Sequence, residues 1–156
     1  MNRISAIAIA AILSLTTAGA GALAHGADKH FAAGAPGDPK KPSRTIEVVM
    51  REGDASMRFS PDHVDVKRGE QIRFVLKNDG QLAHEFMLAT AKENAAHGKI
   101  MERFPDMEHD DPNGKRLDPG KTAEIVWRFT KAGSFEFACL IPGHHQAGMH
   151  GTITVK

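Results

Sequence analysis

The chain has 156 residues, and its 20 basic and 19 acidic residues leave a formal net charge of +1 at pH 7. Because the charges are balanced and form no basic patch, the composition argues against a nucleic-acid-binding protein. The sequence holds one cysteine, Cys139. An odd cysteine in an exported chain would require a specific explanation, since exported domains usually pair their cysteines.

The N-terminus has the features of a secretory signal peptide. Arg3 supplies a positive charge, residues 4–15 form an apolar run, and residues 22–24 read Ala-Leu-Ala, a cleavage signal. We therefore expect a signal peptide over residues 1–24, export to the periplasm, and no stable membrane insertion after cleavage. The alternative is a membrane anchor, since the apolar stretch is nearly long enough to span a bilayer.

Residues 25–44 are rich in Gly, Ala, Pro and Lys and show no apolar periodicity. This composition predicts a flexible N-terminal arm ahead of a single domain over residues 45–156.

From residue 45 the sequence changes to short runs that are typical of β-strands. Alternation within residues 71–77 places Ile72, Phe74 and Leu76 on one face. Further strands are expected at residues 45–51, at 57–67 in two pieces around Pro61, and at 84–88, 121–130, 134–139 and 148–156. Many short strands separated by turns predict an all-β protein with a Greek-key β-sandwich.

One segment departs from the β pattern. Residues 89–104 mix polar and apolar positions and are closed by Pro105, which predicts a short helical insertion. Residues 106–120 carry turn signals and predict a loop.

The segment from Cys139 to Met149 reads Cys-Leu-Ile-Pro-Gly-His-His-Gln-Ala-Gly-Met. It joins two predicted strands, so a tight loop can present the Cys139 thiolate, the His144 imidazole and the Met149 thioether to one point. Two His and one Cys with a weak Met are the ligands of electron-transfer copper sites. His84, which starts a strand after the turn at residues 78–80, is the best candidate for the second histidine. The alternatives for Cys139 are a buried inert thiol and an intermolecular disulfide.

These motifs resemble the cupredoxin family. The C-x4-H-x4-M spacing after an F-x-F strand and before G-x-I-x-V resembles the family's C-terminal loop, and the patterns around residues 59–61 and 66–74 also look cupredoxin-like. The resemblance covers residues 45–156. It implies one type 1 copper with His84, Cys139 and His144 as strong ligands and Met149 as the axial ligand. Plastocyanin- and azurin-like members commonly carry Asn after the first His. Here Glu85 stands there, which leaves open how the ligand loops are held together.

The insertion carries a second group of metal-binding side chains: His97, Met101, Met107 and His109. His97 and Met101 are four residues apart and would share a helix face, and exposed thioethers and imidazoles suit Cu(I). The segment resembles the insertion of periplasmic copper-tolerance cupredoxins. The alternative is that the methionines fill gaps in the core. After cleavage, His25 would offer a free α-amine and an imidazole that can chelate Cu(II), unless it simply begins a disordered arm.

Two functions follow from this interpretation. A diffusible electron carrier would pass electrons through His144 to a transient redox protein partner, docking on an apolar rim of Leu140, Pro142, Ala147 and Gly148. A copper-tolerance protein would bind excess copper or oxidise Cu(I), and the extra His and Met residues favour it. We expect a monomer and no enzyme, because a multicopper enzyme needs further copper centres and the chain has no H-x-H pair.

Overall fold

The computed structural model describes residues 31–105, 107 and 111–156, so the predicted signal peptide lies outside the described residues. Within these ranges the chain forms ten β-strands and one α-helix. The strands are β1 Ala35–Pro36, β2 Arg44–Glu52, β3 Met57–Ser60, β4 His63–Val66, β5 Gln71–Asn78, β6 His84–Ala89, β7 Gly114–Leu117, β8 Thr122–Arg128, β9 Gly133–Ala138 and β10 His150–Val155. The helix, α1, spans Ala91–Met101.

The described strands form two five-stranded sheets, with the orders β1-β8-β5-β2-β3 and β4-β10-β9-β6-β7. Most neighbours are antiparallel, but β2 pairs with β5 and β4 pairs with β10 in parallel. Consecutive strands change sheet repeatedly, as from β3 to β4 and from β5 to β6. The predicted Greek-key β-sandwich with a short helical insertion is confirmed.

The core lies between the two sheets and is built from alternate strand residues. The predicted inward face of β5, formed by Ile72, Phe74 and Leu76, is fully buried. Phe74 contacts Phe86 of the other sheet, with ring centroids 5.5 Å apart, and Phe86 stacks on Phe137 at 5.2 Å. These aromatic contacts join β5, β6 and β9. The candidate site lies at one end of the sandwich, where His84 begins β6 and Cys139 directly follows β9.

Helix α1 begins with a complete capping box. The Thr90 side chain accepts a hydrogen bond from the Glu93 N–H, and the Glu93 carboxylate accepts one from the Thr90 N–H. This exchange satisfies two N-terminal donors. The helix is shorter than the one predicted for residues 89–104, because Ala89 still belongs to β6. No helix in the described part of the chain is both long enough and apolar enough to cross a membrane.

The loop predicted for residues 106–120 contains a strand, β7. It pairs with β6 in antiparallel fashion and places Leu117 opposite His84. Its sequence, Gly-Lys-Arg-Leu, has little intrinsic β-propensity. The free edge of β6, rather than the local sequence, accounts for this strand.

Part of the segment predicted as a flexible arm over residues 25–44 lies against the sheet in the described residues. Strand β1 pairs with β8. Ala33 is buried, and its carbonyl accepts a 3.2 Å hydrogen bond from Trp127 Nε1. Phe31 packs edge-on against Trp127, with ring centroids 5.3 Å apart. The composition of the segment, rich in small and polar residues, does not predict these contacts. One aromatic residue and two paired strand residues hold the segment on the sheet, and so few residues do not change its overall composition.

Candidate metal centre

His84 is the first residue of β6, and its side chain is fully buried. The turn before it is closed by Asn78, the last residue of β5. Asn78 Nδ2 donates to the carbonyls of Leu82 and Leu117 at 2.8 and 2.9 Å, and Oδ1 accepts from the Gly80 N–H at 2.9 Å. The buried Asn78 amide therefore satisfies three backbone groups and fixes the conformation of the turn that precedes His84.

The other ligand-bearing segment is the loop between β9 and β10. The Cys139 N–H donates to the Met149 carbonyl at 3.0 Å, so the strand pairing continues to both ends of the loop. Inside the loop, the His144 N–H donates to the Ile141 carbonyl, and the Met149 N–H donates to the His144 carbonyl, each at 3.0 Å. Gly143 has a φ of 88°, a conformation that glycine adopts without strain. These bonds fold the loop tightly around His144.

Three metal-binding side chains meet where these segments come together. Nδ1 of His84 lies 3.3 Å from Nδ1 of His144, which lies 3.3 Å from Sγ of Cys139. One ligand atom from each residue lies within 4.8 Å of the others, an arrangement that can hold one metal ion. His84 and Cys139 are fully buried, whereas His144 is 9% exposed. His144 is therefore the imidazole that reaches the surface.

Burial controls the protonation of this cluster. Burial lowers the pKa of His84, although the nearby Glu52 charge acts to raise it. Burial and the neighbouring His84 both lower the pKa of His144. Burial also raises the pKa of the Cys139 thiol to about 12. At neutral pH both imidazoles are therefore neutral and each offers a lone pair, while the thiol keeps its proton in the absence of a metal.

Glu85 joins the two ligand-bearing segments. Its backbone N–H donates to Cys139 Sγ at 3.3 Å, and its buried carboxylate accepts from the Leu140 N–H at 3.3 Å. The sequence left open how the segments are held together without the Asn that is common in cupredoxins. Here the Glu85 carboxylate makes the link itself, because a side-chain oxygen is all that the Leu140 N–H requires.

Glu52, the last residue of β2, also contacts the site. Its carboxylate accepts from the Gln81 and Leu82 N–H groups at 3.0 and 2.9 Å. Its Oε1 lies 2.9 Å from Nε2 of His84, although the N–H direction is not aligned for a linear hydrogen bond. Burial acts to raise the pKa of Glu52, but the backbone hydrogen bonds outweigh it and lower the pKa to about 2. No motif in the sequence points to Glu52, because its contact with His84 forms only in the folded chain.

Two imidazoles and one thiol at this separation fit copper, since imidazole serves both of its common oxidation states and thiolate favours Cu(I). A family model described as copper-binding proteins of the plastocyanin/azurin family matches residues 46–156. The chain belongs to the plastocyanin/azurin family. Its cofactor is copper, and the His84, Cys139 and His144 cluster can hold one ion.

The chain is similar to several named copper proteins. The copper-resistant cuproprotein CopI of Rubrivivax gelatinosus is 51% identical over 140 residues, which cover 90% of this chain and 82% of the relative. CopI of Pseudomonas aeruginosa is 42% identical over 166 residues, covering 87% and 90%. The solved structure of auracyanin B superposes with a TM-score of 0.64 at 24% identity, covering 80% of this chain and 96% of the other. The structural likeness supports the cupredoxin fold.

Met149, the predicted axial ligand, is fully buried at the end of the loop. Its carbonyl accepts from Cys139 and its N–H donates to His144, so its backbone is held by two of the clustered residues. Its thioether as a fourth ligand stays a prediction.

The second group of predicted copper ligands is spread over different surroundings. Met101 is 1% exposed and packs with Met87, Ala138 and Leu140, and Met107 packs partly against the same cluster. His97 is half-buried and lines a cavity of about 260 Å³ beside α1. The burial of Met101 agrees with a thioether that fills space in a core. His109 and His25 lie outside the described residues, and copper binding by this group stays a prediction.

The apolar rim predicted as a docking patch is only partly exposed. Leu140 is 3% exposed, because it packs in the cluster that includes Met101 of α1. Pro142 and Gly148 are exposed, and Ala147 is half-buried. The helical insertion therefore covers one side of the rim.

Proposed function

We propose that this protein binds one copper ion in a type 1 site and acts in copper tolerance in the periplasm. The observation that carries the proposal is the convergence of His84, Cys139 and His144 in a chain 51% identical to a copper-resistant cuproprotein. Copper, when bound, supplies a one-electron change between Cu(I) and Cu(II).

The residues of the site suit both oxidation states. His84, Cys139 and His144 would hold the ion as strong ligands, with Met149 as a weak axial ligand. Thiolate and thioether favour Cu(I), while imidazoles bind both states. The buried surroundings limit access of water. The hydrogen bond that the Glu85 N–H donates to Cys139 Sγ and the one that its carboxylate accepts from the Leu140 N–H keep the ligand atoms in one arrangement.

The periplasmic location rests on the N-terminal sequence. Residues 1–24 combine a basic residue, an apolar run and an A-x-A cleavage signal. Sequencing the N-terminus of the secreted protein tests this part of the proposal, and we expect it to begin at His25.

A dedicated electron carrier is the second candidate function. The partial exposure of His144 favours it, because an electron needs a ligand that reaches the surface. Auracyanin-B of Chloroflexus aurantiacus is 28% identical over 141 residues, and plastocyanin of Capsella bursa-pastoris is 31% identical over 111 residues. Both candidates are binding or carrier roles, and we propose that the protein is not an enzyme.

Growth on copper distinguishes the two candidates. Cells that lack the protein should become sensitive to added copper. The wild-type gene should restore resistance, and a gene encoding Cys139→Ser should not. A carrier predicts instead a respiratory or photosynthetic defect with unaltered copper sensitivity. Full resistance in cells that carry only the serine variant would contradict the proposed function.

The copper content of the purified protein tests the extent of binding. One copper per chain is expected at the type 1 site, and more than one under reducing conditions if the insertion contributes. His97→Ala combined with Met107→Ala should then lower the Cu(I) content without changing the visible spectrum. Met101 is left intact because its removal would open a cavity in a buried cluster.

A further inference from the structure

The Glu52 carboxylate is held against His84 by hydrogen bonds from the turn that precedes it. Two backbone N–H groups, those of Gln81 and Leu82, donate to its two oxygens at 3.0 and 2.9 Å. The same carboxylate lies 2.9 Å from His84 Nε2. The Glu52 side chain is 22% exposed, whereas the His84 imidazole is fully buried. A charged group is thus fixed in the immediate surroundings of a copper ligand.

The turn before His84 is shaped to admit this carboxylate. A Cβ added at Gly80 would collide with both oxygens of Glu52. Gly80 is not among the glycines with positive φ. A side chain at this position would therefore force the Glu52 carboxylate to move, although the backbone conformation itself does not require glycine.

The position of Glu52 has a direct consequence for the His84 ring. A neutral imidazole carries one N–H and one lone pair, and a carboxylate next to Nε2 favours the proton on that nitrogen. The lone pair then lies on Nδ1, the atom that faces His144 at 3.3 Å. The negative charge beside the ring also raises the basicity of the nitrogen that keeps its lone pair.

We propose that Glu52 is a positioning residue of the copper site, which selects the Nε2–H form of His84 and favours Cu(II) over Cu(I) through its charge. The inference rests on the copper site of the proposed function. Opposite charge stabilises the more highly charged ion more strongly, so loss of Glu52 weakens Cu(II) binding more than Cu(I) binding.

The test compares Glu52→Gln and Glu52→Ala with Glu47→Gln, which removes an exposed carboxylate from the same strand. Affinities for Cu(II) and for Cu(I) are measured separately in competition with chelators. Both Glu52 variants should lose about 10- to 100-fold in Cu(II) affinity, the usual effect of removing a group that lies directly behind a metal ligand and orients it. Cu(I) affinity should fall less, so the reduction potential should rise, and Glu47→Gln should match the wild type.

Two further measurements test the same role, and the first of them uses copper-free protein. Nitrogen NMR of the copper-free wild type should show His84 protonated at Nε2, and Glu52→Ala should populate both tautomers. Gly80→Ala should displace the carboxylate and reproduce the loss of Cu(II) affinity, but should have no added effect in the Glu52→Ala background.

The possible failures are distinct. A wild-type protein that binds no copper would overturn the proposed function. If the wild type binds copper, either of two results would overturn only the role of Glu52. One is that the Glu52 variants bind copper as Glu47→Gln does, and the other is that His84 is protonated at Nδ1.

Discussion

At the scale of single residues, burial sets the chemistry of the three clustered side chains that could hold copper. His84 and Cys139 have no exposed surface, and His144 has little. Burial favours the neutral form of each group, so two lone-pair donors and a protonated thiol lie close together without repulsion. The charge of a metal ion reverses this preference at the sulfur, because it stabilises the thiolate.

Replacing Cys139 with Ser should abolish the intense visible absorption of the Cu(II)-loaded protein. The absorption arises from charge transfer between thiolate and copper, and a hydroxyl cannot supply it. Absorption spectra of the two loaded proteins provide the measurement, with Met149→Leu as a coloured control. A serine variant that stays coloured would show that the thiol is not a ligand.

Replacing Met149 with Leu should keep copper bound and raise the reduction potential. Leu has a similar volume, so the buried position should tolerate it at a cost below about 1.5 kcal/mol. The site loses a weak donor and becomes more apolar. Copper content and a redox titration test the two parts. Complete loss of copper would mean instead that Met149 is a primary ligand.

At the scale of elements, the insertion helix and the ligand loop pack against each other. Met101 of α1 and Leu140 of the loop belong to one small buried cluster. Asn94 of α1 donates to the Glu136 carboxylate of β9 at 3.0 Å, which adds a polar link between helix and sheet. The helix therefore supports the outer side of the loop that carries His144.

Thr90→Ala should lower the free energy of unfolding by about 1 kcal/mol, the usual effect of removing an N-cap side chain. The Thr90 oxygen accepts from the Glu93 N–H, and alanine leaves that donor unpaired. Denaturant unfolding of the copper-free protein gives the value. Thr90→Ser keeps the hydroxyl and should remain near wild type. If the serine variant is destabilised as much as the alanine variant, the capping box is not the cause.

At the scale of the whole molecule, side-chain contacts link segments that are far apart in the sequence. Arg44, at the start of β2, donates to Glu70 at 2.8 Å, and the Lys67 N–H donates to the same carboxylate at 2.8 Å. Partial burial acts to raise the pKa of Glu70, but these hydrogen bonds and the Arg44 charge outweigh it, so the pKa lies below its ordinary value. Glu70 therefore links the first long strand to the turn between β4 and β5.

The contribution of Glu70 to stability should depend on pH. A carboxyl with a lowered pKa in the folded state stabilises the fold above its unfolded-state pKa, and this stabilisation is lost as the pH falls. Glu70→Gln should cost about 0.5 kcal/mol at pH 7, as expected for a partly exposed ion pair near the surface. The difference from wild type should shrink below about pH 4. Urea unfolding across this range tests it, with Glu47→Gln as the control. A difference that grows on acidification would contradict the assignment.

Local sequence patterns were sufficient for most of the fold and for three clustered residues. Alternation identified the buried face of β5, and the spacing from Cys139 to His144 placed two site residues in one tight loop. His84 could be predicted as a candidate ligand because it starts a strand directly after a turn. Such features depend on neighbours along the chain, which a sequence displays directly.

Contacts between segments far apart in sequence depended on the tertiary structure. Four features have no signal in the neighbouring sequence. They are the packing of Phe31 on Trp127, strand β7, the burial of Leu140 by α1 and the contact of Glu52 with His84. Each arises from strand register and from which surfaces the two sheets leave unpaired. The same composition would suit a loop, an exposed rim or a surface carboxylate, and only packing in three dimensions selects among them.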